Sequence, residues 1–107
     1  MLTDVHEGKI NVPLELSAGD NIVVPGNSDR WVYIHEIIGS LDTAGTLEIR
    51  SGSTVLATFD LAANQGITED DVSGDEGVPR FKITAGQNFI INPSANFTGA
   101  LQYSFRY

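Results

Sequence analysis

The sequence has no cysteine among its 107 residues, and only six lysine and arginine side chains stand against fourteen aspartates and glutamates. The absence of cysteine excludes a disulfide scaffold, a thiolate metal site and a cysteine nucleophile. The formal net charge of −8 argues against nucleic acid as a partner, because affinity for phosphate comes mainly from lysine and arginine. No apolar run approaches the ~20 residues that a membrane-spanning helix needs, so we expect a soluble chain with no membrane partner.

Helix-compatible stretches are also scarce, since few avoid glycine, proline and β-branched residues for long. Apolar and polar residues instead alternate with the period of two that marks half-buried strands. Eight segments show or approach this pattern, at 10–16, 21–24, 31–38, 47–50, 55–61, 81–84, 89–91 and 101–107. Turn-forming residues separate them. The sequence therefore predicts an all-β domain, an antiparallel β-sandwich of about eight strands that is jelly-roll-like, with an immunoglobulin-like sandwich as the alternative.

The chain length allows one domain, which we place at residues 9–107 behind an amino-terminal arm at 1–8. Pro13 cannot donate a ladder hydrogen bond, so the first strand is predicted at a sheet edge. The turn Ser51-Gly52-Ser53 predicts a hairpin between the strands around it, and Ala85-Gly86 predicts a second hairpin. The alternation in 101–107 predicts that the last segment is tied into a sheet.

The segment 31–38 is apolar on both of its sides, which indicates a strand that is covered twice. Strict alternation places Val32, Ile34 and Ile38 on one face and Trp31, Tyr33 and Ile37 on the other. Core packing is the default for such aromatic residues, although on a strand face they can also stack on a sugar ring. If the second face is not needed for the core, Trp31, Tyr33 and Ile37 form an apolar patch, which we interpret as an oligomer interface.

An acidic segment at 65–77 interrupts the alternation and holds five of the fourteen acidic residues. Its oxygen-bearing side chains could present ligands to Ca²⁺, but their spacing does not match the helix-loop-helix calcium pattern. A solvated loop kept extended by its like charges is the favoured interpretation. The weaker calcium hypothesis rests on Asp70, Asp71, Asp75 and Glu76. We expect no cofactor.

The sequence offers little for catalysis. His6 and His35 are the two histidines, so a three-histidine zinc site is impossible. His35 and Glu36 are adjacent in a strand and should point to opposite faces, and no serine sits in a Gly-x-Ser-x-Gly elbow. His35 is expected to pair with a backbone or cross-strand group. We therefore predict a protein that is not an enzyme, and a small hydrolase ranks third among the alternatives.

Parts of the sequence resemble small β-sandwich structural proteins of tailed bacteriophages, with capsid decoration, or cement, proteins as the nearest subgroup. The resemblance is one of rhythm over about three-quarters of the chain. It rests on a strand that begins Trp31-Val-Tyr-Ile, a Ser51-Gly-Ser turn followed by Thr54-Val-Leu-Ala, and a closing Gly99-x-Leu-x-Tyr strand. The acidic segment at 69–77 departs from the family pattern.

The resemblance implies a virion structural protein without catalytic residues, made in the host cytoplasm and placed on the outer capsid surface. It implies a homotrimer that binds the major capsid protein and stabilises the shell. An amino-terminal arm would engage the shell, and the residues here would be Leu2, Thr3, Asp4, Val5 and His6. The alternative is a carbohydrate-binding β-sandwich module or phage fibre tip domain, with Trp31 or Tyr33 as the stacking platform and the acidic segment holding Ca²⁺.

Overall fold

A computed structural model describes residues 8–70 and 79–107 of the chain. Within them the backbone forms nine strands and no helix, which confirms the all-β prediction. The strands are β1 (Ile10–Leu16), β2 (Asn21–Val24), β3 (Trp31–Leu41), β4 (Gly45–Ser51), β5 (Thr54–Leu61), β6 (Ile67–Asp70), β7 (Phe81–Ile83), β8 (Phe89–Pro93) and β9 (Phe97–Arg106). The described residues contain no helix that is long and apolar enough to span a membrane.

The strands form two antiparallel sheets. Sheet 1 has the order β1-β9-β3-β6, with β7 also paired to β3, and sheet 2 has the order β2-β8-β4-β5. The pairs are nested along the chain, because β1 pairs with β9, β2 with β8, β3 with β6 and β7, and β4 with β5. This arrangement is a long hairpin rolled into two layers, as in a jelly roll, and it confirms the predicted sandwich.

The core lies between the two sheets and is made by the inward side chains of both. Its fully buried members include two phenylalanines, each the first residue of its strand, and aliphatic residues from both sheets. The largest are Phe89, Phe97, Ile34, Ile37, Leu41, Leu47, Ile49, Ile83, Ile91 and Leu101. No member is charged. The alternation of apolar and polar residues along the strands thus places an apolar layer between the two sheets.

Three of the four local strand predictions are confirmed. Within residues 8–70 and 79–107, the strand with Pro13 is an edge strand that pairs only with β9, and β9 itself lies between β1 and β3. The β4–β5 hairpin forms as predicted, with Leu47 opposite Phe59. The predicted second hairpin is wrong, because β7 pairs with β3 in sheet 1 whereas β8 pairs with β2 and β4 in sheet 2. A short glycine turn joins consecutive strands equally well within a sheet or across the two layers.

Candidate functional site

A β-bulge at His35 divides β3 into two halves of opposite phase. The β3–β9 pairing runs regularly on both sides of it, but Ile34 lies opposite Tyr103 and Glu36 lies opposite the adjacent Gln102. His35 is therefore the extra residue of the bulge. One extra residue reverses the alternation of every residue that follows it in the strand.

Because of the bulge, the residues that face outward after His35 differ from those that the sequence predicts. Ile37 is only 1% exposed and belongs to the core, so its predicted place in an exposed patch is wrong. Ile38 takes the outward position and is 37% exposed. Trp31 precedes the bulge and is 41% exposed, as the alternation predicts. The outer face of β3 thus presents Trp31, Tyr33 and Ile38.

His35 forms a cross-strand hydrogen bond within sheet 1. Its Nε2 lies 2.7 Å from the hydroxyl Oγ of Ser104, and both side chains are buried. A buried polar group costs free energy unless it is paired, so the serine and the histidine satisfy one another at the bulge. The predicted pairing of His35 with a cross-strand group is confirmed, and the burial closes this pair to solvent.

An aromatic pocket lies at the start of β3 on the outer face of sheet 1. It has a volume of about 390 Å³ and is lined by Trp31, Tyr33, Lys82, Arg106 and Tyr107. Backbone pairing brings these residues together from three adjacent strands. Trp31 lies opposite Arg106 of β9, and Tyr33 lies opposite Lys82 of β7.

Two cations lie over one ring in the aromatic pocket. The Cζ atom of Arg106 is 5.0 Å from the Tyr33 ring centroid, and the Nζ atom of Lys82 is 5.7 Å from it. Both distances are within the range of cation–π attraction. None of the ion pairs among the described residues involves Lys82 or Arg106. The pocket therefore combines exposed aromatic surface with two cations that have no aspartate or glutamate ion-pair partner among the described residues.

Arg50 and Arg80 differ from these two cations because each already has a carboxylate. Arg50 bonds to Asp20 and Glu48 on sheet 2, and Asp20 also accepts a hydrogen bond of 2.8 Å from Asn92. The hydrogen bond that the Arg50 guanidinium donates to the Asp20 carboxylate is the main reason that the pKa of Arg50 is raised above its ordinary value. Arg80 bonds to Glu69 at 2.6 Å. Arg50 and Arg80 are thus engaged in ion pairs, whereas Lys82 and Arg106 of the aromatic pocket take part in none of the ion pairs among the described residues.

The predicted calcium ligands and the predicted arm fall mostly outside the described residues. Asp70 is described and is exposed at the end of β6, opposite Glu36. Asp71, Asp75 and Glu76 lie outside the described residues, as do Leu2, Thr3, Asp4, Val5 and His6. Within 8–70 and 79–107, no group of three or more histidine, aspartate and glutamate side chains is placed to hold a metal ion.

Besides the aromatic pocket, the surface has a free sheet edge, which strand β5 forms in sheet 2. Among the described strands, β5 pairs only with β4, and its eight residues carry one charge, at Asp60. Val55 is 51% exposed and Leu56 is 36% exposed. The other edges carry features that discourage pairing: a proline and a glutamate in β1, a register shift in the short β2, and two acidic residues in β6.

The sequence indicated only part of the aromatic pocket. Trp31 and Tyr33 were identifiable as aromatic residues on one strand face, but Lys82, Arg106 and Tyr107 were not associated with them. Their separation in sequence is the reason, because the pocket depends on the pairing of β3 with β7 and β9. The one available signal is that both cations alternate with apolar residues, which places them on outward faces.

The chain is similar in fold to a chain of the Bacillus endospore appendages, which form a family of disulfide-linked pili. The two share 19% sequence identity with a TM-score of 0.52, over 96% of this chain and 86% of the other. Because the present sequence has no cysteine, it cannot make such a disulfide link. The coat protein of Tobacco streak virus aligns with a TM-score of 0.45 and 10% identity, over 92% of this chain and 86% of the other. No protein-family model and no curated protein matches the sequence.

Proposed function

We propose that this protein is a non-enzymatic structural subunit that assembles with copies of itself through the free edge of β5. The observation that carries the proposal is an eight-residue edge strand with exposed Val55 and Leu56 and a single charge. An unpaired edge presents a row of backbone donors and acceptors that another strand can complete. The fold shared with a pilus chain supports a role in an assembly.

The edge of β5 suits self-association better than the outer face of sheet 1. In an isologous contact the same patch of each copy meets its counterpart. Copies placed face to face at the aromatic pocket would bring Lys82 and Arg106 close to the same cations of the partner. Like charges at an interface oppose binding. Strand β5 has no basic residue, and Arg50, which lies opposite Val55 in β4, is already bonded to Asp20 and Glu48. Copies can therefore approach along this edge with less repulsion.

The test is the oligomeric state of charge variants. Replacing both Val55 and Leu56 with lysine places two cations on the edge, where they repel a second copy and solvate the strand. We expect the wild-type chain to sediment as an oligomer at micromolar concentration, and the double variant to sediment as a monomer with an unchanged circular-dichroism spectrum. Analytical ultracentrifugation measures both masses.

Ile38→Lys is the matched control, because it makes the same change at an exposed residue of the outer face of sheet 1. We expect this variant to keep the wild-type mass. A monomer for Ile38→Lys and an oligomer for the double variant would move the contact to sheet 1. A monomeric wild-type chain would contradict assembly through either surface.

Within the structural class, we propose a homotrimeric decoration protein that sits on the outside of a bacteriophage capsid. The support is the resemblance carried by Trp31-Val-Tyr-Ile, Ser51-Gly-Ser and Gly99-x-Leu-x-Tyr. An isologous contact through β5 gives a dimer, whereas the trimer requires a heterologous contact, in which the β5 edge of each copy meets a different surface of the next. Three copies bound together multiply weak single contacts with a shell. The arm Leu2–His6 would supply those contacts.

Cosedimentation with capsids that lack this protein tests the capsid role. We expect the full chain to pellet with the particles and a chain without residues 1–8 to remain in the supernatant. The truncated chain must keep the oligomeric mass of the full chain, so that loss of the arm is separated from loss of assembly. Failure of the full chain to pellet would overturn the capsid role and leave assembly through β5 standing.

A further inference from the structure

The aromatic pocket has a surplus of positive charge in a strongly acidic protein. The chain has a net charge of −8 and six basic residues. Two of the six, Lys82 and Arg106, lie within cation–π distance of the Tyr33 ring. Elsewhere Arg50 and Arg80 are each bonded to a carboxylate. Both cations line the same pocket, so their positive potentials add there. The site is therefore complementary to a group of negative charge.

The walls of the pocket specify a second property of the ligand. Trp31 is 41% exposed and Tyr107 is 53% exposed, and both line the same pocket as the two cations. Exposed aromatic rings of this kind offer a flat apolar surface that is costly to leave in water. The ligand must therefore present a flat apolar face beside its negative charge.

The size of the pocket limits the ligand to one or two rings. Its volume of about 390 Å³ is near the lower end of the range for small-molecule sites, roughly 300 to 1,000 Å³. A long polyanion such as nucleic acid would extend beyond the pocket onto a surface of net negative charge. A small unit with one anionic group per ring fits without that penalty.

We propose that the aromatic pocket binds a carboxylate-bearing sugar ring, a uronic or a sialic acid, at the end or along the chain of an acidic glycan. The apolar C–H face of the pyranose would lie on Trp31, and its hydroxyl groups would remain in water. The carboxylate would accept two hydrogen bonds from the planar fork of the Arg106 guanidinium, and the Lys82 ammonium would add to the positive potential around it. This site is independent of the β5 edge and of any assembly through it.

Titration with defined oligosaccharides tests the proposal, and Trp31 reports on it directly because it is the single tryptophan of the chain. The probes are tetragalacturonate, sialyllactose and, as the uncharged match, cellotetraose. We expect tetragalacturonate or sialyllactose to change the Trp31 fluorescence in a saturable manner. Cellotetraose should bind at least tenfold more weakly, because it lacks the carboxylate and about this much affinity is what one charged pair contributes. Which of the two acidic probes binds more tightly identifies the source of the carboxylate. Raising the salt concentration should weaken the binding.

Single substitutions test whether the oligosaccharides bind in the aromatic pocket. By calorimetry we expect Arg106→Gln and Trp31→Ala each to weaken the binding about tenfold or more, because one removes the fork and the other the stacking face. Arg106→Lys should retain part of the affinity, since it keeps the charge. Arg50→Gln is the control, because it removes the same charge on the other sheet. Thermal melts of all four variants separate loss of binding from loss of folding.

Three outcomes would overturn the proposal. The first is that neither acidic probe binds, and the second is that Arg50→Gln weakens binding as much as Arg106→Gln does. The third is that tetraglutamate binds as tightly as the acidic sugars and with the same dependence on Arg106. That result would assign the pocket to an acidic protein segment.

Discussion

Replacing Ile37 with lysine is expected to unfold the protein, whereas the same replacement at the next residue is expected to be tolerated. Ile37 is buried at 1% exposure among the side chains between the two sheets, and no described carboxylate lies there to pair with a lysine. Burying an unpaired charge costs on the order of 5 kcal/mol, which is comparable to the entire free energy of unfolding of a small domain. Ile38 is 37% exposed, so its change should fall within about 0.5 kcal/mol.

Urea denaturation followed by circular dichroism measures the difference between the two variants. The bulge at His35 is the physical basis of the expectation, because without it the alternation would bury Ile38 and expose Ile37. A stable Ile37→Lys variant beside an unfolded Ile38→Lys variant would show that β3 is regular. The pair is matched in residue type, strand and charge, so it reports only which side chain faces the core.

Replacing Gly99 with alanine is expected to cost about 3 kcal/mol or more, because there is no room for a Cβ atom at this position. The added carbon would overlap the backbone carbonyl oxygen of Ile38 and would lie 2.7 Å from the Cα atom of Gly39. Gly39 and Gly99 face each other across β3 and β9, and the ring of Phe97 occupies the space beside Gly39. Backbone atoms in the centre of a sheet cannot move aside without breaking the ladder.

Thermal unfolding provides the measurement. A loss of this size should lower the midpoint by about 10 to 20 °C in a domain of about 100 residues. Gly66→Ala is the control, because a Cβ atom there would have nothing within 4 Å. We expect Gly66→Ala to match the wild type or to be more stable by up to about 1 kcal/mol, since alanine restricts the unfolded chain. Equal midpoints for the two variants would contradict the close approach of β3 and β9.

The prediction of the fold from sequence succeeded where local rules decide the structure. Pro13 identified an edge strand because proline lacks a donor, and Ser51-Gly52-Ser53 identified a hairpin because its residues favour a tight turn. The same rules failed at Ala85-Gly86, where a similar turn joins strands of different sheets. Turn chemistry shortens a connection, but it does not decide which strand the next segment will pair with.

The prediction of the site from sequence failed for a related reason. Alternation assigned Ile37 to the outer face because a pattern of period two has no means of recording an extra residue. The apolar residues Ile37 and Ile38 are adjacent, so either of them fits the core by composition. The partner strand decides between them, since Gln102 lies opposite Glu36 and leaves His35 in the bulge. Lys82 and Arg106 joined the aromatic pocket through the same long-range pairing.

The sequence alone determined that this protein is an all-β sandwich without cysteine chemistry, because the period of its apolar residues and its composition are local properties of the chain. The tertiary structure alone decided the phase of β3, the members of the aromatic pocket and the identity of the free edge. Each of these depends on which distant strands share hydrogen bonds. Such pairings are chosen by the packing of the whole core, and no single segment contains the information that fixes them.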